Sequence, residues 1–315
     1  MENQPLIAIL GPTGSGKSRL ALALAKASGG EIISCDSVQV YRGFDIGSAK
    51  PDAQERARVP HHLIDICDWS EAFDAQQFRV RASEAIKDCR ARGKRPILCG
   101  GTGLYLRLLR WGLVDSPGAD PALREALTRR EADHPGSLAA ELLAIDPEAE
   151  ALVDLKNLRR VIRALEIYQR SGKTPSAVRA EHGFRHEETP MQVVMLDWET
   201  SVLRARVRTR LQEMLAAGWF EEVRGLLQSG VSRECPAMSA VGYRELASLE
   251  AGEVKADQVP ALIEKSTWSY ARRQRTWMRK EKDVRRCELH HPDELDPLIE
   301  ALVQEHQIQG HDPAN

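Results

Sequence analysis

The chain opens on five consecutive apolar residues, Leu6 to Leu10, followed by a glycine-rich turn and an alanine- and leucine-rich run from Leu20 to Ala27. A short unbroken apolar run has no polar face, as in a strand buried on both sides of a parallel sheet, and the run after it reads as helical. The alternation continues: Glu31 to Cys35 reads as a second strand, a loop runs through Pro60, Asp74 to Arg92 reads as helical, and Pro96 to Cys99 reads as a third strand. Such alternation predicts a parallel sheet covered by helices, with ligands at the carboxyl ends of the strands. From Pro117 to about Phe184 the pattern is helical only, broken at Asp120-Pro121, His134-Pro135-Gly136, Asp146-Pro147, Ser171-Gly172 and Thr174-Pro175, all capping or breaking signals. Met191 to Leu196 resumes a strand, and the remainder reads as helical up to a polar tail after about Gln304. The predicted organisation is a core in two parts, residues 1–116 and 186–315, with an all-helical insertion at 117–185.

The turn after the first strand reads Gly11-Pro12-Thr13-Gly14-Ser15-Gly16-Lys17-Ser18. In this strand-loop-helix context it predicts a phosphate-binding loop, because the glycines let successive N–H groups converge on one anion. Lys17 adds a point charge and the helix starting near Ser18 adds its positive end. The fold class is therefore α/β, a P-loop NTPase-like parallel sheet flanked by helices. The loop calls for a diphosphate or triphosphate without saying which molecule carries it.

An ordinary P-loop NTPase ends an apolar strand in an aspartate that helps hold magnesium, but Ile97-Leu98-Cys99 runs into Gly100 and Gly101, which weakens the ATP-hydrolysis reading. Asp197, after Val193 to Leu196, is the remaining candidate, either as a metal ligand or as a capping carboxylate before a helix near Ser201. Two further segments stand at predicted strand ends, Asp36-Ser37-Val38-Gln39-Val40-Tyr41 and Gly100-Gly101-Thr102-Gly103-Leu104-Tyr105.

Composition sets bounds. With 315 residues, 42% hydrophobic and 29% charged, the chain suits a soluble globular protein of one or two domains. No apolar stretch is long enough to span a membrane and no signal sequence precedes the first strand, so a cytoplasmic protein is expected. The six cysteines form no C-x-x-C pair, which leaves neither a disulfide framework nor a zinc site with support; Cys287, His290 and His291 lack an evident fourth ligand and read as a surface turn. The formal net charge is -2, but Lys265 to Arg286 holds nine basic residues against two acidic ones, interleaved with Trp268, Tyr270 and Trp277. Guanidinium groups beside stacking surfaces suit phosphates and unpaired bases, although a solvated helix face explains many such runs. In the insertion, Leu158, Val161, Ile162, Leu165 and Tyr168 form an apolar stripe with Arg159, Arg160 and Arg163 around it, donors that match phosphate oxygens.

Taken in order, the P-loop, the segment Asp36 to Tyr41, Gly47-Ser48-Ala49-Lys50-Pro51, His61-His62-Leu63, Gly100 to Tyr105, the arginine helix Asn157 to Ala164, Ala240 to Glu245 and Arg273 to Arg279 resemble the bacterial tRNA dimethylallyltransferase family over residues 6 to 280. The resemblance implies transfer of a dimethylallyl group from its diphosphate to the exocyclic amine of the adenosine immediately 3′ of the anticodon. It implies dimethylallyl diphosphate and the tRNA anticodon stem-loop as partners, no membrane, a monomer, and magnesium touching Ser18. Lys17 and the loop Gly11 to Ser18 would hold the leaving diphosphate. Asp36 would accept the amine proton, with a helix cap or a metal ligand as its alternatives, and Thr102 would position the amine or the diphosphate. Asp36, Ser37, Val38, Gln39 and Thr102 would meet the extruded base. Arg124, then Arg160, Val161, Ile162, Arg163 and Ala164 would approach the tRNA. So would Val241, Gly242, Tyr243, Arg244, Glu245 and Leu246, and finally Gln274, Arg275, Thr276, Trp277, Met278, Arg279, Lys280 and Glu281. His61 and His62 are expected only to make local hydrogen bonds. A small-molecule P-loop kinase shares the loop and is the alternative, but it leaves the basic C-terminal segment without a role.

Overall fold

The structure, a computed structural model, describes residues 4–112, 117–182 and 187–309. The expected insertion boundaries near 116 and 185 and the last residues of the expected tail lie outside these. In chain order the first unit runs β1 (Leu6–Leu10), α1 (Lys17–Ser28), β2 (Glu31–Cys35), α2 (Ala53–Arg58), β3 (His61–His62), α3 (Ala75–Ala91), β4 (Pro96–Gly100) and α4 (Gly103–Trp111). The insertion contains α5 (Pro121–Asp133), α6 (Ser137–Ile145), α7 (Ala149–Leu152), α8 (Leu158–Ser171) and α9 (Pro175–His182). The chain then returns through β5 (Met191–Trp198), α10 (Thr200–Ala216), α11 (Trp219–Gln228), α12 (Tyr243–Glu250), α13 (Val259–Met278), β6 (Val284–Leu289) and α14 (Leu295–Gln309). Two compact units result, residues 1–110 with 189–315, and 111–188.

The six strands form one parallel sheet in the order β3-β2-β4-β1-β5-β6. Successive side chains of a strand point to opposite faces, so each apolar run feeds two cores. Ile7, Ile9, Ile32, Ile97 and Val194 pack with α1 and α14 on one face. Leu6, Ala8, Ile33, Leu98 and Val193 pack with α3 and α4 on the other, where Phe78 stacks on Tyr105 at 4.3 Å between ring centroids. A third core joins Val40, Tyr41 and Phe44, beyond β2, to Trp219, Tyr243 and Ile263 of α11, α12 and α13. No helix among the described residues is long and apolar enough to cross a membrane.

Four expectations are corrected. The loop through Pro60 contains α2, closed by a capping box between Asp52 and Glu55, and the short edge strand β3. The basic segment is not one helix: α13 ends at Met278 and Val284–Leu289 is a sheet-edge strand. Its alternating pattern, with Cys287 and Leu289 buried and Arg285, Arg286 and Glu288 exposed, has the strand period of two, which the density of charge obscured. Cys287 therefore lies in the core rather than in a surface turn. Helix α14 runs past Gln304 to Gln309.

Within the insertion, Asn157 caps α8, and Val161, Ile162, Ala164 and Leu165 fill the apolar centre with Leu127, Leu138 and Leu142. The Glu166 carboxylate is fully buried there. It accepts hydrogen bonds from the Asp120 N–H (2.6 Å), Arg124 Nε (2.9 Å) and Arg163 (2.5 Å). Burial opposes its charge, but these donors outweigh burial and hold its pKa down to about 2.

Candidate active site

The loop between β1 and α1 takes its shape from two left-handed glycines, Gly14 at φ 79° and Gly16 at φ 89°, a region where a side chain is strained. Gly16 stands at the N-terminus of α1 without a side-chain cap, so the first-turn N–H groups are left for an anion. Three distant side chains fix the outer surface of the loop. Gln274 accepts from the Thr13 N–H at 2.9 Å, Arg206 Nε donates to the Gly14 carbonyl at 2.9 Å, and Trp198 Nε1 donates to the Ser15 carbonyl at 2.8 Å. A Cβ at Gly11 would collide with the Ser15 side chain. Pro12 is buried behind the loop.

Over this loop, at the carboxyl ends of β1, β2 and β4, lies a cavity of about 520 Å³. Thr13, Lys17 and Ser18 form its floor, and Asp36, Ser37, Val38 and Gln39 form one wall. Asp36 Oδ1 accepts the N–H groups of Val38 (2.8 Å) and Gln39 (3.2 Å), which fixes the carboxylate in a turn. Its Oδ2 has no hydrogen-bond partner among the described residues. The Gln39 amide is committed to its own loop: Nε2 donates to the carbonyls of Ser48 and Ala49, and Oε1 accepts from Ser34. Gln39 therefore shapes the wall, whereas Ser37 is exposed. Thr102 is not in the cavity wall. Its N–H bonds the Cys35 carbonyl at 3.3 Å, which ties the β4 turn to the residue before Asp36.

Further lining comes from α10, whose contribution the sequence did not mark, and from the basic helix α13, which it did. Arg210 of α10 and Thr267, Tyr270, Arg273 and Gln274 of α13 line the cavity. Lys17 and Arg210 pair with no carboxylate among the described residues. The pKa of Lys17 is lowered, first by burial and next by the charge of Arg210. That of Arg210 is lowered by burial, with Asp36 acting the other way. Two cations pressed together in a concave, half-buried site are favourable only with an anion between them. Burial, and after it the charge of Asp36, raises the pKa of Tyr270.

Asp197 is resolved against a metal role: Arg275 holds it at 3.0 Å and Arg279 at 3.3 Å. Glu199 caps α10 in its place. Glu31, His62 and Cys89 bring three potential metal ligands within 4.8 Å of one another. Arg92, however, donates to both Glu31 oxygens at 2.5 and 2.7 Å, so this cluster is already closed as an ion pair. His61 meets the Val59 carbonyl at 2.7 Å and His62 meets Glu31 at 2.7 Å; both make local hydrogen bonds.

The residues expected to approach a tRNA divide by burial. The side chains of Val161, Ile162, Ala164, Leu246 and Met278 are in apolar cores. Tyr243 is buried, with its hydroxyl donating to Glu222 at 2.7 Å, and Glu245 closes the start of α12 on the Gly242 N–H at 2.7 Å. Glu281 is buried against Arg107, Thr276 donates to the Arg272 carbonyl, and Trp277 packs on Gly103. Arg124 and Arg163 are held by Glu166, whereas Arg160 is exposed, with only a 4.0 Å contact to Asp154. Val241 and Arg244 line the cavity, and Arg244, Arg272, Arg273 and Lys280 keep exposed cations on that unit.

Residues 39–281 match the family model described as IPP transferase. A tRNA dimethylallyltransferase 1 from Trichlorobacter lovleyi is 47% identical over 277 residues, 88% of this chain and 91% of that one. A tRNA dimethylallyltransferase from Geobacter metallireducens is 44% identical over 96% of this chain and 97% of its own. Among solved structures, the full-length tRNA isopentenylpyrophosphate transferase from Bacillus halodurans superposes with a TM-score of 0.69 at 34% identity, covering 98% of this chain and 100% of that chain. A eukaryotic dimethylallyltransferase acting on tRNA gives a TM-score of 0.75 at 30% identity, over 90% of this chain and 73% of that chain.

Proposed function

The chain belongs to the IPP transferase family, and we propose that its cavity transfers a dimethylallyl group from dimethylallyl diphosphate to N6 of the adenosine immediately 3′ of a tRNA anticodon. It is a transferase, and the kinase alternative is set aside. The observation that carries the site assignment is that Lys17 and Ser18 of the phosphate loop, Asp36, Arg210 and Tyr270 all line one cavity.

In this reading N6 attacks the allylic carbon, the carbon–oxygen bond breaks, and its electron pair leaves on the diphosphate. Lys17, Arg210 and the loop amides meet the growing negative charge. The N6 proton, acidic only as nitrogen acquires its fourth bond, passes to Asp36 Oδ2. The two backbone N–H groups on Oδ1 keep the other oxygen aimed at the amine. Ser18, exposed on the first turn of α1, would offer its hydroxyl oxygen to a magnesium ion. Such an ion supplies further charge neutralisation at the leaving group. The base must leave the anticodon-loop stack to enter, and the exposed Arg244, Arg272, Arg273 and Lys280 suit the surrounding phosphates.

The test is incubation with dimethylallyl diphosphate, magnesium and unmodified tRNA, with ATP as the comparison donor. Prenyl-tRNA and diphosphate are expected, and Asp36→Ala is expected to slow the single-turnover rate by roughly 10² or more, with tRNA affinity nearly retained. Robust tRNA-independent ATP hydrolysis without prenyl transfer refutes the function, whereas a loss below about threefold in Asp36→Ala moves the proton to another group.

A further inference from the structure

We propose that Gln274 is a positioning residue that sets the diphosphate loop from the basic helix α13, an inference resting on the prenyl-transfer reading above. Its side-chain amide uses both ends on backbone. Oε1 accepts from the Thr13 N–H at 2.9 Å, and Nε2 donates to the Gly101 carbonyl at 3.1 Å. These bonds bridge the turn after β1 to the turn after β4 through a residue 261 positions away from the first and 173 from the second. Gln274 is 4% exposed and its bond to Gly101 is buried, so the Gly101 carbonyl has no bulk water to turn to if the amide is removed.

The consequence for the loop is specific. A P-loop binds an anion by converging amides, and Gln274 turns the Thr13 amide away from that convergence; with the Ser15 N–H on the Pro12 carbonyl at 3.1 Å, the amides of Gly14 and of Gly16 onward remain. Gly101 has room for Gln274 because it lacks a side chain, since a Cβ there would strike Nε2. Gly103 likewise makes room for the Trp277 indole, three residues further along α13. Two glycines of the β4 turn thus serve as sockets for two successive contacts of one helix. The same helix exposes Arg272 and Arg273, so a shift of α13 moves Gln274, and with it Thr13 and Gly101.

Gln274→Met keeps the volume and removes both hydrogen bonds; Gln274→Ala is the second variant. Leaving the Thr13 amide without its acceptor should weaken binding of inorganic diphosphate with magnesium, measured by calorimetry, by roughly tenfold. The KM for dimethylallyl diphosphate should rise in parallel, whereas kcat at saturating substrates and the Kd for the anticodon stem-loop should stay within about threefold. A merely structural glutamine would lower the melting temperature without this split. Diphosphate affinity within about twofold of wild type in both variants overturns the inference, as does loss of tRNA affinity alone, which makes Gln274 a tRNA contact. A wild type that binds no diphosphate overturns the functional reading as well, whereas one that binds and transfers normally, with Gln274→Met equal to it, overturns this inference alone.

Discussion

Replacing Arg210 with alanine should cripple the chemical step and shift its pH dependence upward. Arg210 reaches the cavity from α10, lies beside Lys17, and pairs with no carboxylate among the described residues. A donor aimed at developing charge in a concave site is worth roughly 10² to 10³ in rate, about 3–4 kcal/mol of transition-state stabilisation. The single-turnover rate of prenyl transfer to an anticodon stem-loop, with labelled dimethylallyl diphosphate, should fall by that factor in Arg210→Ala. Arg210→Lys keeps the charge but loses the fork, and should recover only part of the loss.

The pH dependence follows from the neighbouring lysine. The pKa of Lys17 is lowered by burial first and by Arg210 second, and the protonated form is the one that holds a diphosphate. Diphosphate binding to the free enzyme should therefore be strong at neutral pH and decline as pH rises through the depressed pKa. Removing Arg210 removes one cause of the depression, so the alkaline limb should move to higher pH even as overall affinity drops. An Arg210→Ala rate within about threefold of wild type, or an alkaline limb that moves to lower pH, refutes the electrostatic reading of this wall.

Two other variants separate binding from folding. Arg160→Ala should weaken tRNA binding and flatten the log–log salt dependence by about 0.7, the release expected for one phosphate contact in a single-stranded region, with dimethylallyl diphosphate binding unchanged. Arg163→Ala should instead destabilise the insertion, because it strips a donor from buried Glu166, and the two outcomes are read by a salt titration of tRNA affinity and by urea unfolding. Glu31→Gln tests the ion pair under β2. Arg92 first, against the opposing effect of burial, lowers the Glu31 pKa from 4.5 to about 2, and the depressed value adds stability that is complete above the unfolded pKa and disappears as pH falls through the folded one. With Arg92 partly in solvent, about 2 kcal/mol should separate wild type from Glu31→Gln at pH 7 in urea, and the gap should close toward the folded pKa. A gap that persists undiminished in acid assigns the loss to packing.

The phosphate loop was legible in the sequence because every requirement on it is local: an apolar strand before, a helix after, and glycines where φ is positive. The strands β1, β2, β4 and β5 were legible for the same reason, since a strand buried on both faces needs only a run of apolar residues, whereas their order in the sheet and the edge strands β3 and β6 were not. What holds the loop was not legible. Gln274, Arg206 and Trp198 each bond one of its backbone groups from more than a hundred residues away, and nothing in the periodicity of α10, α13 or β5 marks those side chains. Arg210 was hidden in the same way, as one arginine among several on α10. The arginines of α8 show the converse. Their spacing is visible, but whether a guanidinium is available depends on where an acid is buried, and Glu166 takes Arg163 and Arg124 while leaving Arg160 to solvent. Asp197 was judged from its position at a strand end, and Arg275 of α13 and Arg279 just after it, which occupy it, could not be read from that position. Charge density reports how many guanidinium groups a segment carries; only packing decides which of them are already engaged within the protein and which remain for a phosphate.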